Sequence, residues 1–168
     1  MIPLFQEWSA FLRAHHVTQK PVISFTQWLN RHNTPMRYYH TAHGHIVMVM
    51  GEFEPVRELC EEPLVVEGAL FTHDVVYDSQ RKDSEERSAL WMSDCFTKLG
   101  IPHTYCDSVG HLIVDASTQH RGVLGDVDRN IFISCDLAIL GRPWEEYEVY
   151  MNNVAREYAW VDTTYGAG

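Results

Sequence analysis

The stretch LVVEGALFTHDVVYD, residues 64–78, joins a nearly continuous apolar run to an adjacent histidine and aspartate, His73 and Asp74. The run from Leu64 to Phe71 predicts a buried segment, and its periodicity leaves open whether that segment is a strand or a helix. Burying an imidazole beside a carboxylate is costly unless both groups find polar partners. A bound metal ion is one such partner, and a mutual hydrogen bond is the plainer alternative.

The segments on both sides of this stretch show helical periodicity. Apolar residues recur at three- and four-residue spacing over Phe5–Leu12 and Phe25–Leu29, and Ser24 is the predicted N-cap of the second of these helices. Further helices are predicted over Ile46–Leu59, Ser84–Leu99, Val109–Ala116, Asp128–Leu140 and Glu145–Trp160. Strand-type alternation is scarce, so we predict an all-α fold in a single domain spanning residues 1–168.

The composition limits the classes of partner. The chain has 168 residues and a formal net charge of −10 at pH 7, and we expect no duplex nucleic acid as a partner because duplex binding depends on neutralising phosphates. We also expect no secretory leader and no membrane span, since no run approaches about 20 apolar residues. None of the four cysteines forms a CxxC pair, and we expect a reduced, cytoplasmic protein.

Three segments carry side chains from which a metal site can be built. They are RYYHTAHGHI (37–46), FTHDVVYD (71–78) and SCDLAILG (134–141). Divalent metals bind imidazole nitrogen and carboxylate oxygen, and the adjacent His73 and Asp74 supply one of each. A histidine and an aspartate from two other helices would complete four ligands. An ion held there would lower the pKa of bound water toward neutrality.

The order of these motifs resembles the HD superfamily of metal-dependent phosphohydrolases, in particular a branch of small bacterial and phage proteins. The resemblance covers Arg37 to Tyr165 and rests on seven motifs in order. These are YHT (39–41) with HI (45–46), HDVVYD (73–78), SEERSA (84–89), STQH (117–120), DLAILG (136–141), Tyr147 with Tyr150, and REY (156–158). Ser84, Ser117 and Ser134 depart from the Asn, Thr and Asp usual in that branch. The resemblance implies an HD-domain helical bundle.

The resemblance also implies the metal ligands, which are His45, His73, Asp74 and Asp136. The branch usually spaces its two early histidines four residues apart, whereas His43 and His45 follow His40 by three and five positions. His45 is favoured as the ligand, because the apolar pattern that begins at Ile46 follows it in the expected register. His43 stays open as the alternative.

Further roles follow from the same resemblance. Glu85 is implied to orient or deprotonate the attacking water, and the alternative is an exposed acid in the first turn of a helix. His40 is implied to protonate a leaving oxygen, and the alternative is a histidine bonded to backbone. His120 is implied to contact substrate phosphate or a second metal ion, and the alternative is a surface histidine. Candidate phosphate ligands are Arg37, Lys82, Arg87, Arg121 and Arg156. For Arg156 the favoured alternative is a helix residue among many neighbouring acids.

The expected function is hydrolysis of a phosphate ester or anhydride in a small phosphorylated substrate, with a nucleotide as the substrate class. One or two divalent ions are implied, from Mn, Fe, Co, Ni, Zn or Mg. One alternative is a di-iron oxygenase that uses His103, His111 and His120. Another is a non-catalytic regulatory or binding protein that uses the metal for structure. A homo-oligomer is compatible with each of them.

Overall fold

The computed structural model describes residues 4–119 and 125–161, with the side chains of residues 117–119 excepted. Within these ranges the chain forms helices and no strand, which confirms the predicted all-α class. The helices are α1 Leu4–Ala14, α2 Pro21–His32, α3 Val47–Phe53, α4 Pro63–Thr72, α5 Ser84–Lys98, α6 His103–Gln119, α7 Val127–Asp136 and α8 Trp144–Glu157. A membrane-spanning helix, which would have to be long and apolar, is not found in the described part of the chain.

Helix α4 lies at the centre of the fold. Every residue from Val65 to Thr72 is buried, and α1, α3, α5, α6 and α7 all contact the helix. The open choice between strand and helix is therefore settled as helix, since a helix satisfies its own backbone groups while neighbours cover its whole circumference. Packing is so close at Gly68 that an added Cβ atom would lie 2.3 Å from the hydroxyl of Tyr105.

An aromatic cluster joins α1 and α2 to this central helix. The rings of Trp8 and Trp28 are stacked with centroids 5.7 Å apart, and the indole of Trp28 donates a hydrogen bond of 2.6 Å to the carbonyl of Phe71. The predicted N-cap at Ser24 is wrong, because α2 begins one turn earlier at Pro21. Proline is favoured at the first helical position, where its missing N–H is not needed. Ser24 instead accepts a hydrogen bond from the Trp8 indole.

The predicted helix over Ile46–Leu59 is helical throughout, but it consists of three different pieces. A π-helical turn at Ala42–Ile46 leads into α3, and a 3₁₀-helix at Glu54–Leu59 follows. Pro55 explains the second change, since proline cannot donate the hydrogen bond that would continue an α-helix. The predicted Asp128–Leu140 helix is likewise divided, into α7 and a 3₁₀-helix at Leu137–Gly141.

Candidate metal centre

The four predicted ligands come from three helix ends that meet in the interior. His45 lies in the π-helical turn before α3, His73 follows the last residue of α4 and precedes Asp74, and Asp136 is the last residue of α7. The C-terminus of a helix carries partial negative charge and stabilises a cation. The ends of α4 and α7 therefore add to the negative charge of the two carboxylates.

The donor atoms are spaced as neighbours in one coordination shell. Nε2 of His45 lies 3.1 Å from Nε2 of His73, 3.5 Å from Oδ2 of Asp74 and 3.0 Å from Oδ1 of Asp136. Nε2 of His73 lies 3.4 Å from the same Asp74 oxygen and 3.3 Å from the same Asp136 oxygen. Two donors held about 2.1 Å from one ion stand about 3.0 Å apart at a right angle and about 3.4 Å apart at the tetrahedral angle. The donors of His45, His73 and Asp136 therefore fit a divalent metal ion, and Asp74 has an oxygen at similar distances from both imidazoles.

Three of the four form the tightest set. The donor atoms of His45, His73 and Asp136 all lie within 4.8 Å of one another, and they are the only such group of metal-binding side chains in the described residues. Asp74 joins this set through its contacts with both imidazoles. His43 is exposed to solvent and takes no part in the group, so the choice between the two early histidines falls on His45.

Neighbouring groups fix how both imidazoles face the centre. Nδ1 of His73 lies 3.1 Å from the carbonyl of Leu70 and must carry the proton of that hydrogen bond, because a carbonyl only accepts. Nδ1 of His45 is hydrogen-bonded at 3.1 Å to the hydroxyl of Tyr39. Each ring is therefore held through Nδ1 and presents Nε2 to the centre, as metal-binding histidines commonly do.

The electrostatics of the centre also favour a positive charge. Burial alone would lower the pKa of His73, but Asp74 and Asp136 outweigh burial and raise that pKa well above its ordinary range. Burial alone would raise the pKa values of both aspartates, and the neighbouring imidazoles instead hold both below the ordinary range. The two carboxylates of the centre thus stay ionised and attract a cation. A proton and a metal ion compete for this position.

The centre opens into a cavity of about 280 Å³. Its walls bring together the metal-centre residues and two of the predicted catalytic residues, His40 and Glu85. Glu85 is half-buried and makes no hydrogen bond or ion pair with the described residues. Tyr77 and Tyr150 complete the polar side of the wall, and Leu140 forms part of the apolar side. His120 lies outside the described residues.

Glu157 is the functional residue that sequence reasoning missed. It is the last residue of α8 and only 1% exposed, and its carboxylate contacts the segment that carries His40. Oε2 lies 2.6 Å from Nδ1 of His40. Hydrogen bonds to this carboxylate, with that of His40 first among them, outweigh burial and lower the pKa of Glu157 to about 2. The REY motif marked the position, but nothing in the local sequence distinguished this acid from the exposed acids of α8.

Arg37 has a different role from the predicted one. Its guanidinium donates hydrogen bonds to the backbone carbonyls of His40 at 3.1 Å, Asp74 at 2.6 Å and Val75 at 3.1 Å. Arg37 is buried, and these contacts tie the segment before the π-helical turn to the segment that carries the Asp74 ligand. We therefore assign it to holding the backbone of the site, where it is not free to bind phosphate.

Lys82, Arg87 and Arg156 do not line the cavity, and Arg121 lies outside the described residues. No lysine or arginine of the described residues lines it. Lys82 lines an adjoining groove of about 240 Å³ that shares Tyr77 and Glu85 with the cavity, while Arg87 is exposed. Two larger clefts, of about 610 and 580 Å³, share no lining residue with the metal centre. We place the chemistry at the smaller cavity because the metal-binding side chains converge there.

Comparisons of the chain with known protein families, with characterised proteins and with solved structures find no match. The described residues define a class by their own geometry: an all-helical protein in which two buried histidines and a partly buried aspartate can together hold a metal ion.

Proposed function

We propose that this chain is a metal-dependent phosphohydrolase of the HD type. The observation that carries the proposal is the convergence of two imidazole nitrogens, 3.1 Å apart, with two carboxylate oxygens that each lie 3.0 to 3.5 Å from both nitrogens, in a cavity that His40 and Glu85 also line. A buried set of this kind is what a catalytic divalent ion requires, and it is more than a surface cluster of acids provides.

The four ligands would hold the ion, and two of them carry charge that offsets it. When bound, a divalent ion supplies a Lewis acid for a phosphoryl oxygen and lowers the pKa of water toward neutrality. Asp74 and Asp136 together neutralise a charge of +2, which leaves the floor of the cavity close to neutral. An anionic substrate then meets no net repulsion from the ligands themselves.

Glu85 and His40 would carry the proton transfers of the proposed reaction. Glu85 supplies a carboxylate with no internal partner among the described residues, which leaves it free to orient and deprotonate an attacking water. His40 lines the same cavity, where its imidazolium form, with a proton on each ring nitrogen, would donate the Nε2 proton to the leaving oxygen and keep the Nδ1 proton. Proton transfer by positioned groups of this kind typically contributes about 10²–10⁴-fold to a rate.

The proposed substrate is a small phosphate ester or anhydride. A nucleotide is the class that the HD resemblance suggests, and no residue of the cavity by itself selects a base. The di-iron alternative draws no support from α6, because His103 and His111 are exposed there and neither lines the cavity. A non-catalytic role for the metal is the alternative that the experiment must separate from hydrolysis.

The experiment measures metal content and phosphate release on the same samples. Wild-type protein, His73→Ala and Asp74→Ala are analysed for bound metals after exposure to Mn²⁺, Mg²⁺, Co²⁺, Ni²⁺, Zn²⁺ and Fe²⁺. Each sample is then assayed against nucleoside mono-, di- and triphosphates and p-nitrophenyl phosphate. His43→Ala is the matched control, since it removes an exposed histidine two residues from a ligand.

We expect wild type and His43→Ala to retain metal and release phosphate, and the two ligand variants to lose both. Retained metal with no phosphate release from any substrate would reject the hydrolase and leave the structural role. Folded wild-type protein that binds none of these ions would reject the metal centre as well.

A further inference from the structure

The two oxygens of the Glu157 carboxylate have different partners. Oε1 accepts hydrogen bonds from three successive backbone N–H groups, those of Tyr38 at 2.7 Å, Tyr39 at 2.8 Å and His40 at 3.0 Å. Oε2 lies 2.6 Å from Nδ1 of His40 and 3.2 Å from the hydroxyl of Tyr77. One oxygen therefore anchors the backbone of the segment, and the other contacts the imidazole.

This division determines which nitrogen of His40 carries a proton. An ionised carboxylate only accepts hydrogen bonds, so the contact of 2.6 Å requires a proton on Nδ1 of His40. In the neutral imidazole Nε2 is then unprotonated, and it lies on the opposite edge of the ring. The ring is also stacked on Tyr77, with centroids 4.1 Å apart and planes inclined by 24°. The tautomer and the ring plane are thus both fixed.

We propose that Glu157 is a positioning residue, which keeps a proton on Nδ1 of His40 so that Nε2 is the nitrogen that takes up and releases a proton in the cavity. The catalytic part of this inference rests on the proposed hydrolase, whereas the tautomer does not depend on it. The arrangement is chemically that of a carboxylate and histidine pair in which the acid orients the imidazole and does not itself react. Glu157 does not line the cavity, so it acts on the cavity through the residues that it contacts, and its effect on protonation there passes through His40.

A purely structural role for Glu157 makes a different prediction from this proposal. Glu157→Gln separates the two, because an amide keeps one acceptor and replaces the other with a donor. The three N–H groups require the amide oxygen on their side, so the NH₂ group must face Nδ1 of His40. The anchoring of the backbone is then retained, while His40 is forced into the opposite tautomer with its proton on Nε2.

The test is nitrogen NMR of ¹⁵N-histidine-labelled full-length protein at alkaline pH, with and without Zn²⁺. His40→Ala identifies the signal of His40. We expect wild type to show a proton on Nδ1 and Glu157→Gln to show it on Nε2. The matched control is Glu67→Gln, which alters a buried acid that is paired with Arg57 and does not line the cavity. The control should leave the tautomer of His40 unchanged.

Kinetics on the same variants test the consequence for catalysis. In Glu157→Gln the amide NH₂ group faces Nδ1, so His40 can no longer carry a proton on both nitrogens and act as an imidazolium acid. We therefore expect kcat to fall by about 10²–10⁴-fold, the range of a lost general acid, with KM within about threefold of wild type. His40→Ala/Glu157→Gln should be no slower than His40→Ala alone, because residues that act as one unit are not additive. The metal content should match wild type in every variant.

Several results would overturn the inference. A wild-type His40 with its proton on Nε2 would do so at once, even if no variant folds. An unchanged tautomer in Glu157→Gln would do the same, as would equal kcat in Glu157→Gln and Glu67→Gln. If wild type releases no phosphate from any substrate while the tautomer shifts as expected, the hydrolase fails and the positioning of His40 stands.

Discussion

Acid should reveal the stabilising contribution of Glu157 directly. The folded protein lowers the pKa of this carboxyl from an ordinary value of 4.5 to about 2, because its hydrogen bonds favour the ionised form. Its contribution to stability is therefore fully present above the ordinary pKa. The contribution is lost as pH falls from about 4.5 toward about 2, where the folded protein also takes up the proton.

The magnitude follows from the gap between the two pKa values. Each pH unit of that gap is worth about 1.4 kcal/mol, so Glu157 contributes about 3 kcal/mol at neutral pH. Its side chain is fully buried, so solvent does not screen this figure. A domain of ordinary stability, at about 5–15 kcal/mol, loses a large fraction of its total when this contribution disappears.

The assay is urea unfolding of metal-free wild type and Glu157→Gln across the acid range. The variant should be less stable by up to about 3 kcal/mol at neutral pH, and the difference should shrink to near zero at about pH 2. Glu67→Gln is a control of opposite sign. Burial raises the pKa of Glu67 despite its ion pair with Arg57, so its own titration favours the folded state as pH falls. A difference between wild type and Glu157→Gln that stays constant over this range would refute the reasoning.

Three further predictions test the ligand choice, the backbone clamp and the central helix. Removing a residue that only hydrogen-bonds to a metal ligand typically weakens metal affinity by about 10–100-fold, and His45→Ala should weaken Zn²⁺ binding by more than this. His43→Ala should leave Zn²⁺ affinity unchanged. Competition with a chromogenic chelator measures both. Arg37→Met should weaken Zn²⁺ binding by about 10–100-fold and lower the unfolding free energy by about 2–3 kcal/mol in urea, because three carbonyls lose their donors. Gly68→Ala should lower the unfolding free energy by about 1–3 kcal/mol through overpacking, and Gly51→Ala, where a Cβ meets nothing within 4 Å, should raise it by about 0.5–1 kcal/mol. Equal effects of the two glycine substitutions, unchanged Zn²⁺ affinity in Arg37→Met, or equal loss in the two histidine variants would contradict these predictions.

The helices were predictable because each buries a stripe of apolar residues. Helix α5, predicted over Ser84–Leu99, is found at Ser84–Lys98, since its apolar positions recur with helical period and Gly100 takes the positive φ of 85° typical after a helix end. The central helix α4 could not be told from a strand. It is buried on every side, so it has no polar face from which a period can be read.

The candidate ligands were chosen from residue type and order and from the resemblance, and His45 was favoured from its register, but the turn that carries His45 was not predicted. The turn that carries it is π-helical, with the N–H of Ile46 bonded at 3.3 Å to the carbonyl of Thr41, five residues back. Such a turn accommodates one more residue than an α-helical turn. It therefore offers a physical reason why a histidine five positions after His40 can face the same cavity, where a spacing of four is usual in the HD branch that the chain resembles.

Glu157 and Arg37 show what local sequence does not contain. Their partners are backbone groups of distant segments, and Glu157 binds the N–H of Tyr38 across 119 positions of the chain. A charge in a polar helix has the same sequence pattern whether it faces solvent or a buried backbone. Only the packing of α8 against the segment before the π-helical turn distinguishes the two cases.

The charge balance of the cavity links metal binding to substrate binding. No lysine or arginine of the described residues lines the cavity, and the guanidinium of Arg37 is bonded to backbone behind it. The ends of α4 and α7 and two carboxylates add negative charge at the four donors. Within the described residues, the cation that these donors would hold is the source of positive charge for the proposed anionic substrate. The same four side chains would therefore control both the retention of the ion and the affinity for a phosphate.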